Sequence, residues 1–250
     1  MKRVTLALLL LAGLAVAQTP DLEGRVLSVG SDTTYPPFET VNEQGEIVGF
    51  DVDVVNAVCE VVNCVAEFQT TAWDGIFPAL AAGEFDMVAS GVTITEERDR
   101  VVDFTIPYFE VDQAITVRVG DADLTLEEFT ADGSDLLLGA QTGTTNAATA
   151  EDLIGRDRVR LYDDFNSAIQ GLLNGDVDGV MIDDVTADAF VQQYAGELVV
   201  NIREVESGDK LGFAVQEGDP LVDALNAGIE EIKANGTLDE LIAEWFQSGN

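Results

Sequence analysis

The stretch SDTTYPPFE, Ser31 to Glu39, gathers acids, hydroxyls, two rings and two prolines into a very short space. The prolines exclude a regular helix and set a stiff, extended turn. Such a loop, placed directly after the strand-like RVLSVG, could hold a ligand. Asp32 would accept hydrogen bonds, and Tyr35 and Phe38 would offer ring faces. Three further stretches carry chemistry. SGVTITEER ends on Arg98, a guanidinium beside Glu96, Glu97 and Asp99, which taken alone reads as a surface arginine. GAQTGTTNAATA follows a strand-like run and opens a helical one, so its free N–H groups attract an anion, or Thr144 simply caps the helix. VMIDD puts acids at the C-terminal end of a strand, where α/β folds place ligands.

These stretches need a frame, and the pattern around them supplies one. VLSVG, VAEFQT and FDMVAS read as strands, and DVDVVNAVCEVV and WDGIFPALAAG as helices between them, with Asp51 as the helix cap of the first. That alternation predicts a parallel sheet with helices on its faces. It restarts after Tyr108: LLLGAQT, RVRLY and VDGVMID as strands, NAATAEDLI and DFNSAIQGLLNG as helices. EVDQAITVRVG joins the halves, KLGFAVQEG leads back, and two helices close the chain. Two lobes with a double connection predict a hinge and a cleft. NGDVDG is a weak echo of a calcium loop. The twelfth position from Asn174 is Val185 rather than Glu, so a turn is expected and no metal.

Composition narrows the functions. The chain has 250 residues, a formal net charge of −35, three lysines and no histidine. Histidine-based triads, zinc sites and proton shuttles are excluded. The acidity makes nucleic acid and anionic membrane poor partners. MKR followed by VTLALLLLAGLAV and AVA reads as a secretory signal peptide over residues 1–17, cleaved near Ala17–Gln18. Cys59 and Cys64 in AVCEVVNC then favour a disulfide, with free buried thiols as the plainer reading.

Read in order, SDTTYPPFE, GEIVGFDVDVVNAV, WDGIFPALAAGEFDMVASGVTITEERDRVVDFTIPY, GAQTGTT, GDVDGVMIDD and GTLDELIAEWF resemble the landmarks of the amino-acid-binding proteins of ABC importers, solute-binding family 3. That family includes glutamine-, histidine- and lysine/arginine-binding members. The resemblance covers essentially the whole mature chain. It implies an α/β, two-lobed periplasmic-binding-protein fold of type II, each lobe a mostly parallel sheet flanked by helices, with two hinge strands. Lobe 1 would be 18–110 plus 210–250, and lobe 2 would be 111–209. It implies an amino-acid ligand, a permease partner, no cofactor, no catalysis, and a periplasmic or otherwise secreted soluble monomer.

Site roles follow from the same resemblance. Arg98 would make a two-pronged salt bridge to the ligand carboxylate, with Thr93 and the backbone around Ser90 and Gly91 adding hydrogen bonds. Thr144 and Thr145 would complete that site from the second lobe. Asp183, rather than Asp184, would take the ammonium. Tyr35 would lie over the ligand side chain, Trp73 would face it across the pocket, and Asp32 would reach its far end. Phe38 and Trp245 are expected in the core. Gln141 departs from the pattern: glutamine-binding members tend to have a basic residue there, and basic-ligand members a leucine. Ile182 stands where glutamine-binding members tend to have histidine. A flat cation suits two rings and an acid, so arginine or another basic amino acid is expected, with glutamine next. Two other readings compete. One is an exported cyclohexadienyl or arogenate dehydratase on the same fold, which would need a positioned acid. The other is a sensor lobe of a receptor, usually fused to membrane spans or further domains that do not follow before Asn250.

Overall fold

The computed structural model describes residues 19–247, so the expected signal peptide lies outside the described residues. β1 (Arg25–Ser31) opens the first lobe. A small antiparallel sheet follows, β2 (Thr34–Tyr35), β3 (Glu39–Val41) and β4 (Ile47–Val48), wrapped around the double proline. Then come α1 (Phe50–Val62), β5 (Cys64–Thr70), α2 (Ile76–Ala81), β6 (Met87–Val88) and β7 (Val102–Phe104). β8 (Phe109–Arg118) leads into the second lobe. There stand α3 (Leu126–Thr130), β9 (Leu138–Gln141), α4 (Thr145–Ile154), β10 (Val159–Tyr162), α5 (Phe165–Asn174), β11 (Gly179–Asp183) and α6 (Asp184–Gln193). β12 (Leu198–Leu211) returns, and β13 (Ala214–Gln216), α7 (Leu221–Ala234) and α8 (Thr237–Ile242) complete the first lobe.

Each lobe has its own five-stranded sheet, ordered β5-β1-β6-β13-β7 and β10-β9-β11-β8-β12. β1 runs parallel to β5 and β6, and β9 parallel to β10 and β11. The returning strands pair antiparallel, β13 with β6 and β7, and β8 with β11 and β12. β8 and β12 lie side by side from Leu211 opposite Phe109 to Leu198 opposite Arg118, with register shifts between. β8 is the outgoing connection that the sequence pattern predicts; the predicted return, 210–218, covers only the end of β12 and then β13, and the long run of β12 beside β8 was not anticipated.

α1 shows why the pattern was readable. Val54, Val55, Val58 and Val62 recur at helical spacing and are fully buried. They meet α7 at Gly228, where a Cβ would come within 2.7 Å of Val58. The helix ends at Asn63 in the left-handed conformation, and the Cys59–Cys64 disulfide ties its last turn to β5. Phe38 is fully buried, as expected. Trp245 is partly buried against the same core and donates from its indole N–H to Asp53 at 2.8 Å. Asn174 and Gly175 form the expected turn, with Gly175 left-handed at the end of α5.

Asp51 corrects the sequence reading. The residue before α1 is Gly49, with no side-chain cap. Asp51 is instead fully buried and accepts from the Gly91 N–H at 2.8 Å and the Tyr108 hydroxyl at 2.6 Å. An acid in the first turn of a helix suggests a cap, but here tertiary donors claim it. Helix α2 is shorter than WDGIFPALAAG suggests, because Gly75 turns the chain just before it at φ 97°. α3, with its Thr125/Glu128 capping box, α6 and the small β2-β3-β4 sheet were not anticipated.

Candidate ligand-binding cleft

The parallel strands of both sheets end at one place. Asp32 follows β1, Ser90 and Gly91 follow β6, Gln141 ends β9, and Asp183 ends β11. Strand ends carry loops that a rigid sheet positions, and ligands bind there. The cleft is lined by Asp32, Tyr35, Trp73, Ser90, Gly91, Thr93 and Arg98 from the first lobe, and by Gln141, Thr144, Thr145 and Asp183 from the second. All eleven sequence-predicted cleft residues are therefore brought together. Asn146 and Phe165 also line it and were missed. Their signal was positional: each sits at the first turn of a helix that follows a strand end. The space between these side chains is about 320 Å³ when the open solvent at its mouth is counted.

Arg98 sits in a short helical turn, half-buried. It donates to the Thr93 carbonyl at 2.8 Å and, across the cleft, to the Gly143 carbonyl at 3.4 Å. Its guanidinium carbon lies 5.1 Å from the Trp73 ring centre and 5.2 Å from that of Phe77. Burial pulls its pKa down to about 10, with Asp183 the first of several acids opposing that shift, so it stays charged at neutral pH. The remaining donors of the fork are free to grip a carboxylate. Opposite stands the start of α4. The Thr144 hydroxyl accepts from Ala147 N–H at 3.0 Å and donates to the Gln141 carbonyl at 2.7 Å, so this side chain is fully engaged as a cap. What the helix offers the cleft is the N–H groups of its first residues, Thr145 and Asn146, which have no partner within the helix.

Asp183 is 2% exposed. It accepts from the Tyr35 hydroxyl across the cleft and from Asn146 Nδ2 at 2.7 Å. Burial raises its pKa to about 6, and these two hydrogen bonds oppose that rise. Tyr35 stacks on Phe38 at 5.2 Å and on Phe165 of the second lobe at 5.3 Å between ring centres. The ring partner of Trp73 is Phe77, edge-on at 5.6 Å.

Gly91 has φ +52°, and a Cβ there would meet the Tyr35 ring at 2.5 Å, so only glycine fits. Its N–H points away from the cleft, to Asp51. That removes one of the backbone donors expected to serve the ligand.

Asp32 and Gln141 meet across the cleft. Asp32 Oδ1 accepts from the Thr34 N–H at 3.2 Å and the Thr34 hydroxyl at 2.8 Å, and Oδ2 from Gln141 Nε2 at 2.7 Å. Gln141 Nε2 also donates to the Asp163 carbonyl at 3.1 Å. Two acceptors on one side fix the amide orientation. The side-chain oxygen is thus the group that Gln141 has left for the pocket.

No group of His, Cys, Asp and Glu among the described residues is arranged to hold a metal, and no helix among them is long and apolar enough to cross a membrane. The model of the bacterial extracellular solute-binding proteins, family 3, matches residues 27–248. ABC transporter arginine-binding protein 1 of Escherichia coli (strain K12) is 33% identical over 88% of this chain and 90% of its own. A probable histidine-binding protein of Neisseria gonorrhoeae is 32% identical over 89% and 84%. An ancestral arginine-binding protein solved with glutamine bound superposes with a TM-score of 0.82 at 38% identity, covering 88% of this chain and 97% of that one. These relatives are binding proteins rather than enzymes. The chain belongs to the bacterial extracellular solute-binding proteins of family 3.

Proposed function

We propose that this protein captures a basic L-amino acid, arginine-like before glutamine-like, between its lobes and delivers it to the permease of an ABC transporter. One observation carries the choice of ligand: the charge balance of the cleft wall. Its ionisable side chains are two carboxylates, Asp32 and Asp183, one guanidinium, Arg98, and the Tyr35 phenol. An amino acid's carboxylate suits Arg98 and the start of α4, and its ammonium suits Asp183. That leaves Asp32, served only by the neutral donors of Thr34 and Gln141, without a counter-charge in the cleft. A cationic side chain supplies the partner. Beside Asp32, Gln141 also has only an oxygen to offer. An end of acceptors receives a guanidinium well and leaves the carbonyl of a glutamine side chain unsatisfied.

The relatives named for arginine and histidine support this reading. So does the strongly negative chain, which draws cations inward. The protein would act as a monomer, outside the cytoplasm after cleavage near Ala17–Gln18, with lobe boundaries between residues 110 and 111 and between 209 and 210. A thermal-shift screen against the common amino acids tests it. A ligand at about 100 times Kd stabilises by about 2.7 kcal/mol. Basic amino acids should give the largest shifts, and no shift with any amino acid would refute the reading.

A further inference from the structure

Behind the cleft wall lie two carboxyl groups that no ligand contact uses. Glu39 of β3 and Asp51 of α1 are both fully buried. Each holds one residue of the wall from behind. Asp51 binds Gly91 N–H and the Tyr108 hydroxyl, so both its oxygens are satisfied by donors. Glu39 is served differently. Its Oε1 lies 2.7 Å from the Ser90 hydroxyl oxygen, while its Oε2 is buried with no partner among the described residues. The charged and titratable groups around Glu39 are Asp51, Asp32, Tyr35 and Tyr108. All are acids, and none is a cation that could favour an ionised Glu39.

Of the two carboxyls, Asp51 with its two donors is the one suited to carry charge, and Glu39 the one suited to carry a proton. Burial, with Asp51 next, pushes Glu39 well above the usual carboxylate range, whereas Asp51 rises only to about 6. Where that proton sits is restricted. On Oε2 it would be a buried donor without an acceptor. On Oε1 it finds the Ser90 oxygen.

Ser90 Oγ has one hydrogen and two acceptor sites. One site takes the Asp32 N–H at 2.9 Å. When Glu39 is neutral, its O–H fills the second site, and the Ser90 hydrogen must turn to the remaining direction, the cleft that Ser90 lines. When Glu39 loses its proton to solvent, the Ser90 hydrogen turns back to Oε1 and the cleft loses a donor.

We propose that Glu39 is a positioning residue of the binding site: its proton sets whether Ser90 presents a hydrogen-bond donor or only a lone pair to the bound amino acid, so that ligand affinity follows the protonation of a group the ligand never touches. This rests on the reading that the cleft binds an amino acid with its carboxylate on this wall. Binding uses the Ser90 hydrogen and so stabilises neutral Glu39. Its pKa is therefore higher in the complex than in the free protein. Affinity is greatest below the free-protein value and falls as pH rises through the value in the complex. Over that window the protein takes up protons as it binds.

Titration calorimetry with arginine, in buffers of different ionisation enthalpy from pH 6 to 9, measures the protons taken up. It is run on wild type, Glu39→Gln and Ser90→Ala. Asp183 and the ligand's own ammonium contribute equally in all three, and Asp51, whose pKa of about 6 responds to Glu39, drops out of the comparison well above that pH, so the differences there isolate Glu39. Wild type should take up a fraction of a proton that both variants lack, and should lose about tenfold in affinity across the window, the worth of one hydrogen bond. Glu39→Gln, a permanent neutral donor to Ser90, should keep the tight binding at high pH. Ser90→Ala should bind several-fold more weakly without that pH dependence, and it carries the test alone if Glu39→Gln does not fold. Equal linkage in wild type and Glu39→Gln would overturn the proposal. So would unchanged linkage in Ser90→Ala, which would mean that Glu39 acts by charge alone. Failure of wild type to bind any amino acid would refute the functional reading instead.

Discussion

Arg98 illustrates how much a single side chain is asked to do. It is half-buried, charged, packed by two rings and tied to both lobes. Arg98→Ala should cost about 2–5 kcal/mol of binding free energy, since the ligand carboxylate would be left desolvated and unpaired. Calorimetry within a few-fold of wild type, on folded protein, would place the anion elsewhere. Asp183 gives a second residue-scale expectation. Its pKa of about 6 is raised by burial, and a bound ammonium lowers it again, so binding expels a proton below neutrality. Affinity should therefore fall as pH drops from 7 to 5, and Asp183→Asn should bind weakly and without that acid limb. At this scale the cleft residues were legible mainly through the family resemblance, since Arg98 taken alone reads as a surface arginine; the residues themselves offered an acid ending a strand and rings on either side of two prolines. Hidden were the partners. Nothing in the sequence shows that Gln141 engages Asp32 or that Gly91 turns its N–H to Asp51, because these contacts join segments far apart in the chain.

Among the elements, α1 does two jobs. Its valine face fills the core, and its first turn sends Asp51 to the β6–β7 loop and to Tyr108. Asp51→Asn keeps the shape but exchanges one acceptor for a donor facing the Gly91 N–H or the Tyr108 hydroxyl. It should destabilise by about 1–3 kcal/mol in urea unfolding. An unchanged midpoint would make Asp51 a bystander. At the other end of the helix the Cys59–Cys64 bridge closes so short a loop that the chain-entropy estimate is about 2 kcal/mol. Reduction should lower the unfolding midpoint and leave ligand preference unaltered. The long elements were legible from apolar spacing. The short ones were not, since β2, β3, β4 and β7 span two or three residues each, too few to show a period. The acid of α1 misled for the same reason: local pattern names a cap, whereas a tertiary donor decides.

At the scale of the whole molecule, the two lobes touch through a few chosen groups: Tyr35 with Asp183 and Phe165, Asp32 with Gln141, and Arg98 with the Gly143 carbonyl. Every one of these groups lines or borders the cleft, so closing the hinge and completing the site are one event. Small-angle scattering should show compaction when the ligand is added, and an unchanged radius of gyration at saturation would contradict a closing hinge. Charge acts at this scale too. Asp51 and Asp183 have folded-state pKa values of about 6 against an ordinary 3.8, so the folded protein binds more protons between those values. Stability should rise as pH falls from 7 toward 5, and the net charge of −35 adds relief of self-repulsion in the same direction. The central claim is that Asp32 reads a cationic side chain at the far end of the cleft. A calorimetric comparison of arginine, lysine, histidine, glutamine and glutamate, on wild type and on Asp32→Asn, tests it most directly. The account predicts that a basic amino acid binds tightest to wild type, and that Asp32→Asn cuts its preference over glutamine by about tenfold, the loss of one charge-assisted hydrogen bond. Tightest binding of glutamate, or a preference that Asp32→Asn leaves unchanged, would contradict it.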